Sequence, residues 1–306
     1  MGCWWHESLA LLYAHTVKSE SPDLLSFVDW MSCSDPYEDA RFDSLQSFML
    51  LAVLAHSGVL LADEGPLGDV GRTIITPLLL VSAVVGLGWR RFKPYCVMLT
   101  FGVTSFWLVQ AWPRFANHLF LEWSVLLFLS LCRGDTRLGL AALRWLTAIV
   151  LFYSGFQKLI LGHYFEGQFF LVLIASSPKF RVVFEMLLPV QEVARLVEWG
   201  GQFGTGPYET ADTFFLILSN SIWIGEMMVG ILLFFPKFRN LALVIAIGLV
   251  AGIEVGAREL VFGCLFTLLI LNFHQGRNAI AVWPVFAAIQ LLSVAIRLVM
   301  PDLRFN

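Results

Sequence analysis

A lysine near the end of a long apolar segment is the residue of this sequence whose chemistry most needs an explanation. Lys158 lies in WLTAIVLFYSGFQKLILGHYFEGQFF (145–170), about one helical turn before the apolar run ends. A charge inside a membrane helix costs about 2.5–3.5 kcal/mol at the bilayer centre on insertion scales, and less near the interface. Burial disfavours the charged form of an amine, so a desolvated lysine can act as a general base, whereas a full carboxylate partner would keep it protonated.

Further polar residues fall in other apolar segments, at spacings that place several of them on one helical face. Those expected to lie around Lys158 are Asn117, Arg114, His118, Glu122, Glu226, Glu254 and Arg258. Residues four apart share a helical face, which applies to positions 114, 118 and 122 and to positions 254 and 258. Two interpretations stay open. One is an outward-opening pocket that holds an amine, an imidazole and carboxylates, and the other is an ion-pair network, such as Lys158 with Glu254 or Glu226, that holds helices together.

The composition predicts the kind of protein that must position these residues. The 306 residues are 58% hydrophobic and 14% charged, whereas soluble domains carry about a quarter charged residues. We therefore expect an all-α polytopic integral membrane protein whose first partner is the lipid bilayer. The net charge of −3, without a basic run, gives no reason to expect nucleic acid as a partner. The five cysteines have no spacing typical of a metal site.

Apolar segments of the length of a membrane span recur along the chain. A span takes about 20 mostly apolar residues, which predicts about nine transmembrane helices, at 45–62, 73–90, 94–111, 116–132, 138–161, 213–235, 239–257, 259–273 and 278–299. The eighth is short and close to the seventh, so eight spans is the alternative. Residues 1–44 are predicted to be a cytoplasmic and interfacial segment with amphipathic helices. Residues 45–300 are predicted to form the transmembrane domain.

Lysine and arginine in the short loops predict the orientation of the spans. One set of loops carries Arg90, Arg91, Lys93, Arg133, Arg137, Lys237, Arg239 and Arg277, and the opposite set carries Arg72, Arg114 and Arg258. We therefore expect a cytoplasmic N-terminus and an external segment 162–212. The polar stripe in that segment predicts one or two interfacial helices, broken at Pro189. Lys158, His118 and Glu254 would then lie at one depth near the outer face, with Glu226 deeper.

Several short motifs have counterparts in a known class of membrane protein. In SGFQKL (154–159), a small residue, a glycine and a Lys-Leu pair end a predicted helix, and FEG (165–167) follows. Asn117-His118 stands at the start of the preceding predicted helix, and Asp35-Pro36 and Arg41-Phe42 precede the first span. In this combination the chain resembles the membrane domain, called HTTM, of vitamin K-dependent γ-carboxylases. Residues 226–239 are similar to a stretch of the related DoxX-like families.

The resemblance implies a function and a cofactor. It implies that Lys158 is the base that deprotonates a reduced, vitamin K-type quinone, that His118 belongs to the same site, and that the other polar residues, with Glu166, tune the pocket. Two departures stand against a full match. Glu254 stands where these domains often have a histidine, and only PDLRFN follows the last predicted span, so we expect no counterpart of the carboxylases' extra-membrane domain.

Two functions follow as expectations. The first is a membrane enzyme, placed in the inner membrane of a bacterium, that uses a quinol or another lipid-soluble compound with a buried lysine as general base. The alternative is a non-enzymatic accessory subunit of the peptide-toxin maturation or immunity type, which binds a peptide or protein partner at its external face, on 162–212.

Overall fold

The chain folds into helices throughout the part that the structure describes. The structure is a computed structural model and describes residues 37–62, 71–111, 117–176, 178–184, 187–198, 208–256 and 260–274, with the single positions 284, 285, 288, 289 and 292. Within those ranges there is no β-strand. The predicted all-α class is therefore confirmed for these ranges. The N-terminal segment 1–36, positions 112–116 and 257–259, and most of the ninth predicted span lie outside the described residues.

Eleven α-helices fall within the described ranges. They are α1 (Glu38–Ala62), α2 (Thr76–Gly88, after a π-helical turn at Gly71–Ile75), α3 (Lys93–Ala111), α4 (Asn117–Leu131), α5 (Thr136–Leu161), α6 (Gln168–Ser176), α7 (Pro178–Phe184), α8 (Val190–Glu198), α9 (Thr213–Leu232), α10 (Arg239–Gly256) and α11 (Leu260–Leu271). Short 3₁₀ turns at Cys132–Gly134 and Pro236–Phe238 precede α5 and α10. A helix covers most of each of the first eight predicted span ranges.

Three helical segments among the described residues are long and apolar enough to cross a membrane. They are Thr136–Leu161, Thr213–Leu232 and Pro236–Glu254. Two shorter apolar helices cover Thr73–Gly88 and Val261–Leu271. Three helices of this length and composition indicate a membrane protein, and the count of nine spans stays a prediction.

The two helices that carry Lys158 and Glu226 have well-defined ends. The carboxylate of Asp135 accepts a hydrogen bond from the backbone N–H of Leu138 at the start of α5, and α5 ends at Gly162, whose φ of 73° is the left-handed conformation that glycine adopts most easily. Asp212 caps α9 in the same way, through the backbone N–H of Phe215. These caps fix where both helices begin and so fix the register in which they can pack.

The main core lies between α1, α2, α3, α4, α5, α9, α10 and α11. Its neighbours along the chain pack against each other, and α11 closes the bundle by packing on α1. The closest pair is α5 with α9, which meet where Gly155 and Gly230 leave no room for a side chain. Large apolar side chains such as Val81, Val109 and Val244 point outward and are more than half exposed, as on a surface that faces lipid.

Residues 168–198 form a separate layer of three helices, where the sequence predicted one or two. Helix α7 begins at Pro178, a residue that favours the first position of a helix, and α8 begins after Pro189, where the break was predicted. The additional helix arises because QFFLVLIAS in α6 buries its apolar residues in a second, smaller core. That core contains Leu171, Ile174, Ala175, Leu188, Leu196, Tyr208 and Phe215.

Candidate functional site

Lys158 forms an ion pair with Glu226 between α5 and α9. Its Nζ atom lies 2.5 Å from each carboxylate oxygen and donates a 3.0 Å hydrogen bond to Ser154 Oγ. The side chain of Glu226 is 5% exposed and that of Lys158 is 21% exposed. The Glu226 side chain is therefore buried, while the Lys158 side chain is partly exposed.

The close packing of α5 on α9 brings the two charges together. A Cβ atom at Gly155 would lie 2.6 Å from the backbone oxygen of Trp223, and one at Gly230 would lie 2.7 Å from the backbone nitrogen of Phe152. Only glycine permits this separation, because a side chain would push the helices apart. The two helices run antiparallel, and Lys158, three residues past Gly155, meets Glu226 beside the approach at Gly155.

The turn after α5 places an aromatic ring beside the ammonium group. Nζ of Lys158 lies 5.6 Å from the centroid of the Tyr164 ring, within the range of a cation–π contact. The backbone oxygen of Tyr164 accepts a 2.8 Å hydrogen bond from Ser219 of α9, and Asn220 donates to the backbone oxygen of Phe165. Gly167, with φ of 69°, then turns the chain into α6. The turn is thus held on α9, on the N-terminal side of Glu226.

His118 belongs to a different cluster, between α1, α3 and α4. His56 Nδ1 lies 2.6 Å from Glu122 Oε2, and the His118 ring meets the His56 ring edge-on at 5.5 Å. The ring of Trp107 in α3 also packs against the His56 ring, at 5.0 Å between centroids. Among the described residues, the partners of Lys158 and those of His118 have no member in common. The structure therefore separates two residues that the sequence analysis placed in one pocket.

Glu254 lies at a third place, between α10 and α11. A Cβ atom at Gly263 would overlap its carboxylate, so the glycine makes room for the side chain. Glu254 and Thr267 are the polar residues that line a cavity of about 190 Å³ whose other walls are aliphatic. Glu254 is thus not a partner of Lys158, and the alternative of Lys158 with Glu226 is the one that the structure contains.

The remaining predicted site residues make no contribution that the structure describes. Glu166 is exposed in the turn before α6. Arg114 and Arg258 lie outside the described residues, and Asn117 is the first residue of α4, with its side chain outside them. Glu226, which was predicted to lie deeper than Lys158, is in direct contact with it, and α9 extends past the end of α5 to reach Gly167.

Two contacts of the site were missed from the sequence. His56 is a single histidine inside the first apolar segment, and that position was the available signal for a polar interior. Tyr164 was not singled out in the sequence, and its ring lies over the ammonium group of Lys158. The described residues contain no group of three His, Cys, Asp or Glu side chains arranged to hold a metal ion.

The arrangement can exchange a proton. A buried ammonium–carboxylate pair and the corresponding amine–carboxylic acid pair differ only by the position of one proton along a short hydrogen bond, and low polarity narrows the energy gap between them.

Comparison of the chain with protein-family models, with curated proteins and with solved structures finds no match.

Proposed function

We propose that this chain is an integral membrane protein that binds a quinol or another lipid-soluble compound and takes a proton from it at the Lys158–Glu226 pair. The observation that carries the proposal is the asymmetric burial of the pair. The Glu226 side chain is almost fully enclosed, whereas the Lys158 side chain is 21% exposed and its ammonium group lies next to an aromatic ring. Charged groups inside membrane helices are expensive and typically mark a site of function.

Lys158 and Glu226 have different roles in the deprotonation. With a full carboxylate partner Lys158 carries its proton, so the acceptor in this arrangement is the Glu226 carboxylate. Lys158 passes one ammonium proton to Glu226 and takes the hydroxyl proton of the quinol in its place, so the O–H bonding electrons stay on the quinol oxygen as a phenolate. The ammonium group of Lys158 then stabilises that phenolate. The proposal therefore keeps Lys158 at the reacting atoms and adds Glu226 as the proton acceptor.

The membrane arrangement in the proposal keeps the nine predicted spans, with the N-terminus in the cytoplasm and α6 to α8 in the outer interface. The outward-facing apolar side chains of α2 and α3, such as Val81 and Val109, support spans beyond the three long apolar helices. The compound would reach Lys158 from the outer half of the bilayer, past Tyr164.

Membership of the carboxylase-like HTTM class is part of the same proposal. In support, the SGFQKL motif lies in the last two turns of α5, and the Glu-Gly that follows it includes a glycine in the left-handed conformation. A reduced quinone of the vitamin K type is the cofactor that this resemblance implies. Neither oxygen nor carbon dioxide enters the step that we assign to the pair.

The test measures ionisation of a probe quinol by the purified protein in lipid nanodiscs. A short-chain 1,4-naphthohydroquinone is titrated under anaerobic conditions at constant pH, and absorption spectra distinguish the neutral form from the phenolate. We expect the wild type to bind the phenolate and both Lys158→Met and Glu226→Gln to bind little of it. Lys237→Met is the matched control, because Lys237 is an exposed lysine whose nearest ring is Phe238.

The double variant Lys158→Met/Glu226→Gln separates function from folding. Removal of both charges leaves no buried ion without a partner, so the double variant is expected to fold more readily than either single variant. A folded double variant that still binds the phenolate as the wild type does would overturn the proposal. A folded double variant that binds none supports it.

A partner-binding subunit is the second candidate, and the outer helical layer favours it. Val182 of α7 and Val190 of α8 are 57% and 80% exposed, outside the predicted spans. Exposed aliphatic residues on such a layer suit a peptide or protein partner at the external face. Val190→Glu is expected to abolish stoichiometric co-purification of that partner from native membranes and to leave quinol ionisation unchanged. A quinol site without a co-purified partner favours the first candidate.

A further inference from the structure

The cluster of His56, Glu122 and His118 is a buried group of ionisable side chains that the proposed function does not use. His56 is 2% exposed and Glu122 is 1% exposed, and the atoms His56 Nδ1 and Glu122 Oε2 are 2.6 Å apart. So short a separation requires a proton between the two atoms, because two lone pairs would repel each other. The cluster therefore holds at least one proton.

The second carboxylate oxygen of Glu122 indicates whether the proton is bonded to Glu122 or to His56. Glu122 Oε1 is buried and has no hydrogen-bond partner. In an ionised carboxylate this oxygen would carry about half of a negative charge with no donor, a costly state away from water. In a neutral carboxylic acid, the O–H group at Oε2 donates to a neutral imidazole, and Oε1 is an uncharged carbonyl oxygen. The neutral pair is therefore the more stable form.

The other helices around Glu122 add no charge that would reverse this preference in the described part of the chain. Helix α3 contributes Trp107, which does not ionise. The charged residues of α5, which also packs on α4, lie elsewhere: Arg137 is exposed, buried Arg144 donates to the backbone oxygen of Asn272, and Lys158 lies on Glu226. On α11, Cys264 lies beside Glu254. The electrostatic neighbours of His118 are the two members of the pair themselves.

We propose that His56, Glu122 and His118 form a buried proton-binding site, in which Glu122 is a neutral carboxylic acid that shares its proton with His56 and exchanges it through His118. His118 lies one turn from Glu122 and nearer the N-terminal end of α4, so it is the imidazole closer to the helix end. When the proton moves, the O–H bond of Glu122 breaks and an N–H bond forms at His56 Nδ1. A proton from solvent then reaches Glu122 through His118 and restores the carboxyl group, and His56 releases the proton at Nδ1 to solvent through His118, so that the cluster holds the same number of protons as before. This inference goes beyond the proposed function and does not depend on it.

Infrared spectroscopy of the full chain in lipid bilayers tests the neutral carboxyl group. At neutral pH we expect a carbonyl-stretch band of a protonated carboxyl group that disappears in Glu122→Gln. The control Glu166→Gln changes an exposed glutamate and is expected to leave this band in place. A band that is unaffected by Glu122→Gln, or the absence of any such band in the wild type, would show that Glu122 is ionised and would overturn the proposal.

Two further variants keep the test decisive if Glu122→Gln does not fold. His56→Phe retains a ring against Trp107 and removes Nδ1, so the carboxyl band should persist and move to the frequency of a carboxyl group without a hydrogen bond. His118→Phe should leave the band in place and slow its shift after transfer to D₂O by about tenfold or more. A band that His56→Phe does not move overturns the shared proton, and an unchanged exchange rate in His118→Phe overturns the exchange route.

Discussion

Nζ of Lys158 lies 2.5 Å from both carboxylate oxygens of Glu226, although 68 residues separate the two side chains in the sequence. The contact joins the two longest of the helices that have the composition of membrane spans, α5 and α9. The same pair thus joins two helices and, in the proposed function, supplies the proton acceptor and the cation. A role in stability and a role in proton transfer predict different effects of single and double substitutions of Lys158 and Glu226.

The first prediction concerns stability. Lys158→Met leaves the Glu226 carboxylate buried without its cation, so the free energy of unfolding should fall by roughly 3 kcal/mol, toward the lower end of the values for broken buried pairs because Lys158 is partly exposed. Lys158→Met/Glu226→Met should recover most of this loss. Denaturation in mixed detergent micelles measures both variants. A double variant as unstable as the single one would contradict the account.

The second prediction concerns the close approach of α5 to α9. Gly155→Ala places a methyl group against the backbone oxygen of Trp223, which cannot move as a side chain can. We expect a loss of about 1–3 kcal/mol in the free energy of unfolding and weaker quinol ionisation, because the pair is pulled apart. Gly248→Ala is the control, since a Cβ atom there meets open space and alanine favours a helix over glycine. Equal effects of the two changes would refute the packing argument.

The third prediction concerns Glu254 and Gly263. Gly263→Ala creates an overlap with the Glu254 carboxylate, so it should lower the thermal unfolding midpoint. Glu254→Ala removes the overlapping atoms, and the double variant should therefore be more stable than Gly263→Ala alone. The comparison is made by thermal denaturation in detergent. If the two changes simply add, the carboxylate is not what Gly263 accommodates.

The fourth prediction tests the orientation. Single cysteines are introduced at Arg137 and at Glu166, in a background in which the native cysteines are replaced by serine or alanine. A membrane-impermeant maleimide applied to intact cells should label Glu166→Cys and not Arg137→Cys, and it should label both after the cells are opened. The reverse pattern would invert the proposed topology and place Lys158 on the cytoplasmic side.

The sequence predicted the helices more accurately than the contacts. Apolar runs bounded by residues such as Pro178, Gly162 and Asp212 follow rules that act within one or two turns, so helix ranges can be derived locally. The additional helix α6 escaped the analysis because its apolar residues do not alternate with polar ones. They are buried in a small core to which Tyr208 and Phe215 contribute from distant positions, and such a core leaves no local pattern.

The candidate site was predicted in part, for a physical reason. A buried lysine requires a carboxylate, and Glu226 was one of the two partners considered. The depth within the membrane that is inferred from span ends does not distinguish Glu226 from Glu254. Which of them contacts Lys158 also depends on the stagger and the rotation of the helices, and depth gives neither. His118 and Lys158 have similar inferred depths and lie in different clusters, since depth alone says nothing about which helices are neighbours.

Ser219 and Glu226 are seven residues apart on α9, about two turns or 10 Å along one face. Ser219 donates a hydrogen bond to the backbone oxygen of Tyr164, and Glu226 forms the ion pair with Lys158. The distance between Ser219 and Glu226 on α9 therefore sets the position of the Tyr164 ring over the ammonium group of Lys158. Insertion of one residue between 219 and 226 would rotate one contact by about 100° relative to the other, so these two contacts fix the length of this stretch of α9.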